Sequence, residues 1–203
     1  MSLWLADKPL VLASQSQVRR RLLEAAGLPL ELKPAALDER AVEAQSGGVK
    51  TASEAAGLLA REKARTVAAD LPGRLVLGAD QTLALGSRRF SKPADRAAAR
   101  EQLAALAGCT HELSAAIALV RDGKVLFEHC GVARLTMRAL SDDFLDRYLD
   151  AAGPAATASV GGYQLEGAGI HLFERIDGDY FTILGLPLLP LLDFLRREKL
   201  LAG

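Results

Sequence analysis

The stretch Leu75–Pro93, LVLGADQTLALGSRRFSKP, sets a carboxylate inside an apolar run. Leu75–Leu77 leads through Gly78 and Ala79 to Asp80, and apolar residues resume at Leu83 and Leu85. Gly86-Ser87 reads as a hairpin turn, Arg88-Arg89-Phe90 as the start of the return, and Lys92-Pro93 as its end. A carboxylate in an apolar strand is costly to desolvate without a partner. Capping a turn at a strand end is the ordinary role of a lone Asp. Three features favour a site instead. Gly78 and Ala79 are small and leave room for a ligand. The polar pair Gln81-Thr82 follows at once, and Lys92 returns on the partner strand, within reach of a shared site.

The 203 residues suit one domain, or two small lobes sharing a core. Lys plus Arg number 25 and Asp plus Glu number 25, so the chain lacks the basic excess of a protein that binds nucleic acid or a membrane surface. Cys109 and Cys130 have no zinc-ribbon or CxxC spacing and read as buried free thiols of a reducing compartment. Asp7 and Lys8 interrupt the apolar start, so no signal peptide is read. The most apolar segment, Phe181–Leu195, is broken by Gly185, Pro187, Pro190 and Asp193, too often to span a bilayer. A cytoplasmic protein is expected.

Pro9–Ala13 reads as a short buried strand. Ser14-Gln15-Ser16 offers caps for a helix from Gln17 to Ala26, with Gly27 as its stop and Val18, Leu22, Leu23 and Ala26 on its apolar face. Arg19, Arg20 and Arg21 crowd its first turns, where the helix dipole prefers anions. Arg21 reads as solvated. Arg19 and Arg20, with the hydroxyls and free N–H groups, make a site for phosphate oxygens. It is not a glycine-rich nucleotide loop, because neither GxxxxGK nor GxGxxG occurs.

Leu30–Ala36 reads as a second strand, and Asp38-Glu39 as a loop pair that is either solvated or able to hold a divalent cation. Thr51-Ala52-Ser53-Glu54 is a capping box opening a helix to about Ala69. Lys63, beside its apolar stripe, either snorkels to solvent or faces a cleft as a phosphate ligand. Further helices are expected over Ala94–Ala107, over Asp142–Ala151 behind Ser141, and from Pro187 to about Leu200. Thr110–Val120 and Lys124–Met137 form a hairpin about Asp122-Gly123. Ser159–Ile176 reads as strand-like and glycine-rich, carrying Glu166, before Asp177-Gly178 turns back into Tyr180–Leu184. His111 reads as a hydrogen-bonded structural residue, since neither His129 nor His171 has metal-ligand spacing with it. The irregular mixture of strands and helices predicts an α/β sheet of mixed direction.

Five stretches carry a resemblance: LASQSQVRRRLLEAAGL (Leu12–Leu28), LAREKA (Leu59–Ala64), GADQ with SKP (Gly78–Pro93), LAGCTH (Leu106–His111) and GGYQLEGAGIHLFERIDGDYFTILGLPL (Gly161–Leu188). In this order and spacing, the chain resembles the Maf family of nucleoside triphosphate pyrophosphatases over nearly its whole length. The resemblance implies a single Maf-like domain over 1–203, with an elongated mixed sheet flanked by helices in two lobes around a cleft, as in inosine triphosphate pyrophosphatases. It implies hydrolysis of the α–β phosphoanhydride to a monophosphate and pyrophosphate with Mg²⁺ or Mn²⁺. It assigns Asp80 as the base, with Lys63 and Lys92 as catalytic cations. Ser14, Arg19 and Arg20 fall on the phosphate-binding helix start, and Glu39 on the early acid taken as the metal ligand.

The substrate branch is set by departures from the pattern. One branch of the family it resembles, acting on dTTP and UTP, carries Pro-Arg-Arg in the first motif, Asp-Thr in the third and Gln near the end, where this chain has Gln17-Val18-Arg19, Asp80-Gln81 and Glu166. Asp80-Gln81 and Glu166 are similar to a branch acting on 7-methyl-GTP. A carboxylate accepts two N–H donors from a guanine edge and complements a cationic base. Val18 stands where that branch usually has an aromatic able to stack on the base, and Ala115 where a threonine is found. The expected substrate is a guanine-type triphosphate such as 7-methyl-GTP. The competing readings are a pyrimidine-directed pyrophosphatase and a non-catalytic nucleotide-binding regulator of septum formation. No nucleic-acid or membrane partner is expected, and the oligomer, with a homodimer among the options, is left open.

Overall fold

The computed structural model describes residues 2–203. Its strands are β1 (Leu10–Leu12), β2 (Leu30–Leu32), β3 (Val76–Leu85), β4 (Arg88–Phe90), β5 (Thr110–Arg121), β6 (Lys124–Met137) and β7 (Phe173–Asp177). Its helices are α1 (Gln17–Ala25), α2 (Glu39–Gln45), α3 (Ala52–Ala69), α4 (Arg96–Leu106), α5 (Asp142–Ala152), α6 (Ala155–Ala158), α7 (Tyr180–Ile183) and α8 (Leu188–Arg197). The strands form one mixed seven-stranded sheet in the order β2-β1-β3-β5-β6-β7, with β4 paired to β3. The mixed direction expected from the irregular element order is found: β1 is parallel to β2 and β3, while β4 is antiparallel to β3 and β7 to β6.

The chain divides into two compact units. The first takes the chain through Gln81, then Ala115–Gly131 and Gly185–Gly203; the second takes Thr82–Ser114 and Val132–Leu184. In the first, Val11 and Val76 pair on β1 and β3 and pack with Ala64 and Val67 of α3 and Val120 of β5. A separate cluster of small residues, Ala56 and Ala60 on α3 with Ala116 and Ala118 on β5, lies between the same helix and strand. Small side chains let a helix approach a sheet closely, which decides the site below. Trp4 bridges to Leu201, tying the first described residues to the chain's end. The second unit is cored by larger side chains, among them Leu83, Leu103, Leu113, Leu135, Met137 and Tyr163.

Local signals placed most elements. Ser16 caps α1, Ser141 caps α5, and Thr51 with Glu54 forms the expected capping box on α3. Asp122 and Gly123 take φ of 51° and 73°, the doubly left-handed turn that a tight hairpin requires.

Three expectations need correction. Asp38-Glu39 is not a loop: the Asp38 side chain accepts from the Ala41 N–H and caps α2, which starts at Glu39. The second strand is shorter than Leu30–Ala36, stopping at Leu32. The glycine-rich Ser159–Ile176 holds two tight helical turns, at Val160–Gly162 and Ala168–Leu172, and becomes strand only from Phe173. Gly161 and Gly162 take φ of 79° and 78°, far from the negative φ of a strand. Their backbone is held locally, the Gly161 N–H donating to Gln102 and the Gly162 carbonyl accepting from the Tyr148 hydroxyl.

Candidate active site

Asp80 lies mid-strand on β3 and is 8% exposed, so it is a buried carboxylate and not a turn cap. Its partner comes from α3. Lys63 Nζ donates to Asp80 Oδ1 at 2.5 Å and also meets Glu39 Oε1 at 2.6 Å. One ammonium thus bridges two carboxylates from two other elements. The Lys63 and Asp80 side chains are 14% and 12% exposed, whereas that of Glu39 is 51% exposed. Lys63 therefore does not snorkel to solvent.

Gly78 makes this pairing possible. It stands two residues before Asp80 on the same face of β3. A Cβ there would lie 2.0 Å from the Ala60 carbonyl oxygen and 2.7 Å from the Ala64 nitrogen. The α3 backbone therefore rests directly on β3, with Lys63 one residue before Ala64. Room for a ligand is not what the Gly78-Ala79 pair supplies: helix backbone fills the space at Gly78, and Ala79 is fully buried.

Arg19 binds the backbone of the same strand. Its Nη1 donates to the Ala79 carbonyl at 2.8 Å and to Ser14 Oγ at 3.1 Å, and its Nε donates to the Gly185 carbonyl at 2.8 Å. Ser14 Oγ also accepts from the Ser16 N–H. The guanidinium thus ties together α1, β3 and the turn before α8. Gly185, expected only to break the apolar run Phe181–Leu195, takes φ of 84° and packs against Gln81 and Arg19. Its signal was the glycine before Pro187 in LGLPL.

Burial raises the Asp80 carboxyl above its ordinary range, opposed by the charges of Lys63 and Arg19. Burial likewise lowers Arg19, opposed by Asp80 and Glu39. A desolvated carboxylate beside two cations is an arrangement suited to moving a proton near anionic ligand atoms.

The remaining expected residues are placed as follows. Arg20 pairs with Glu24 on the surface of α1 at 2.7 Å, and Val18 is half-buried on the same helix. Lys92 does not return on the strand paired to β3, since β4 ends at Phe90; it and Glu166 are exposed in the second unit. His111 is fully buried there, its Nε2 2.7 Å from the Tyr163 hydroxyl, as a structural residue should be. Cys109 and Cys130 are free thiols but only partly buried. Among the described residues, no helix is long and apolar enough to cross a membrane.

Among the described residues, no group of three His, Cys, Asp or Glu side chains gathers to hold an ion. Mg²⁺ commonly takes one or two carboxylates and completes its shell with water and substrate phosphates. Glu39 and Asp80, joined through one ammonium, fit that donor set.

The sequence profile described as "Maf-like protein" matches residues 9–198. A "Nucleoside triphosphate pyrophosphatase" of Rhodopseudomonas palustris (strain BisB18) is 60% identical over 202 residues, covering 100% of both chains. A "7-methyl-GTP pyrophosphatase" of Rhizobium etli is 57% identical over 196 residues, covering 96% of this chain and 98% of its own. Among solved structures, a HAM1 protein from Coxiella burnetii aligns with 63% of this chain and 72% of its own, at a TM-score of 0.43 and 21% identity. A profile match over nearly all residues, joined by full-length relatives at this identity, establishes that the chain belongs to the Maf-like protein family.

Proposed function

We propose that the chain is a hydrolase that splits the α–β phosphoanhydride of a nucleoside triphosphate, releasing a monophosphate and pyrophosphate. The observation that carries this reading is the bridge of Lys63 between Glu39 and Asp80, which puts a buried base and a cation in one place. The names of the full-length relatives point the same way.

Hydrolysis needs the phosphate charge neutralised and a water aimed in line. Asp80, deprotonated, accepts the proton of that water as its oxygen bonds to phosphorus, and the anhydride P–O bond breaks toward pyrophosphate. Lys63 is the cation nearest this base. Arg19 fixes the strand that carries Asp80 by holding the Ala79 carbonyl. Arg20 presents its charge at the surface of α1, where phosphate oxygens compete with Glu24 for it. Glu39 and Asp80 would hold Mg²⁺ or Mn²⁺, which when bound supplies further neutralisation of the triphosphate. The catalytic role of Lys92 rests on the sequence resemblance alone.

We assign a guanine-type base, with 7-methyl-GTP as the leading candidate. Support comes from Asp80-Gln81 and Glu166 in the sequence and from the name of the Rhizobium etli relative. The pool served would be cytoplasmic, in keeping with two unpaired thiols.

A pyrophosphate-release screen across canonical and modified triphosphates with Mg²⁺ tests both levels. Turnover lost in Asp80→Asn supports the hydrolase, and tight nucleotide binding without turnover across the panel overturns it. Faster turnover of dTTP or UTP than of guanine nucleotides overturns the base assignment. So does an unchanged guanine preference in Glu166→Gln.

A further inference from the structure

Lys63 stands where a cation shared by Glu39 and Asp80 would stand. Its Nζ is 2.6 Å from one carboxylate and 2.5 Å from the other. The side chain is short of solvent, and its backbone is fixed by the close contact of α3 on β3 at Gly78. An ion that binds both carboxylates must first move this ammonium off at least one of them. A divalent ion arriving alone would also leave the displaced ammonium near a like charge. A triphosphate changes that balance, because its anionic oxygens offer the ammonium a new partner.

We propose that Lys63 is a built-in counter-ion that holds Glu39 and Asp80 in place of the divalent metal until a triphosphate draws it away. Metal and nucleotide then bind as a pair. Each raises the other's affinity, and by linkage the factor is the same in both directions. The free enzyme is kept from loading metal without substrate, while its two carboxylates stay aligned by an ion pair that needs no external ion. This inference rests on the metal-assisted reading given above.

The test is a Mn²⁺ titration followed by the electron paramagnetic resonance signal of free Mn²⁺, at a pH well above the carboxylate range. The proteins are the wild type, Lys63→Met and the double variant Lys63→Met/Glu39→Gln. Each is measured with and without a triphosphate analogue carrying a methylene at the α–β bridge. In the wild type, the analogue should tighten Mn²⁺ binding by a factor of about 10 or more, within the usual range of coupling between two ligands. Lys63→Met should bind Mn²⁺ about 10-fold more tightly than the wild type without analogue, and should gain less than the wild type when it is added. The double variant should lose that binding.

Wild-type protein that takes Mn²⁺ equally well with and without analogue overturns the counter-ion role while leaving the metal reading intact. Protein that binds no Mn²⁺ even with analogue, yet releases pyrophosphate in the presence of a chelator, overturns the metal reading and this inference with it. If Lys63→Met does not fold, Lys63→Gln takes its place, because the analogue's own phosphates also bind Mn²⁺ and only a Lys63 variant separates that gain from release of the ammonium.

Discussion

Gly78 and Ala60 meet backbone to backbone: a Cβ on the glycine would stand 2.0 Å from the Ala60 carbonyl oxygen. Neither atom belongs to a flexible side chain, so Gly78→Ala must move α3 as a body. Overpacking of this kind costs about 1–3 kcal/mol and occasionally more. The shift also draws Lys63 away from Asp80, since one helix carries both Ala60 and Lys63. Urea unfolding should show the lost stability, and pyrophosphate release should fall further than the unfolded fraction explains. An unchanged midpoint would mean that α3 yields freely, and the account of how the site is assembled would fail.

That contact also shows what the sequence could not reveal. Asp80 was legible because a carboxylate in an apolar run demands a partner. Its partner was not: the sequence offered Lys92 for that place and left Lys63, at the margin of the α3 stripe, to choose between snorkelling to solvent and facing a cleft. The choice depends on how near α3 approaches β3, set by Gly78 against Ala60 and Ala64, three residues from two distant segments. Arg19 shows the same limit. Its charge at a helix start spoke of phosphate, but the Ala79 and Gly185 carbonyls that it binds lie 60 and 166 residues away. Elements governed by neighbours in sequence, such as the capping box at Thr51 and the turn at Asp122-Gly123, were read directly.

His111 predicts a pH dependence of stability. Burial lowers its pKa from 6.5 to about 4, and its Nδ1 is buried without a hydrogen-bond partner. The folded protein keeps the ring neutral where the unfolded chain would protonate it. Between these values the unfolded state binds more protons, so stability rises with pH there and is lost as pH falls from 6.5 toward 4. The full loss is about 3 kcal/mol. Melting temperatures of wild type and His111→Asn, compared across that window, should converge toward the acid end. Parallel profiles would show that the histidine does not titrate as described.

The pH profile of turnover should have an acid limb set by Asp80. Its carboxyl is raised by burial and held down by Lys63 and Arg19, so removing a cation lets it rise further. Lys63→Met should therefore move the acid limb of kcat/KM to higher pH, beyond any fall in rate. Asp80→Asn should abolish the limb and lower the rate by about 10²–10⁴-fold, the usual range for a positioned base. An acid limb that stays in place in both variants would assign the titration to another group, in enzyme or in substrate.

Arg19 and Arg20 are neighbours that should fail in different ways. Arg19 donates to two backbone carbonyls and a hydroxyl, and the single ammonium of a lysine in its place could not reach all three. Arg19→Lys leaves acceptors unmet beside a buried carboxylate and should destabilise the protein by about 2 kcal/mol or more. Arg20 holds an exposed i,i+4 pair with Glu24, a type worth only about 0.3–0.5 kcal/mol. Arg20→Ala should therefore leave unfolding nearly unchanged. If its guanidinium contacts phosphate, KM for the triphosphate should rise in Arg20→Ala, with a weaker salt dependence than the wild type. A rise in KM for Arg19→Lys at full stability, with Arg20→Ala silent in both assays, would reverse the roles: Arg19 would be the phosphate ligand, and its backbone bonds a resting arrangement that substrate replaces.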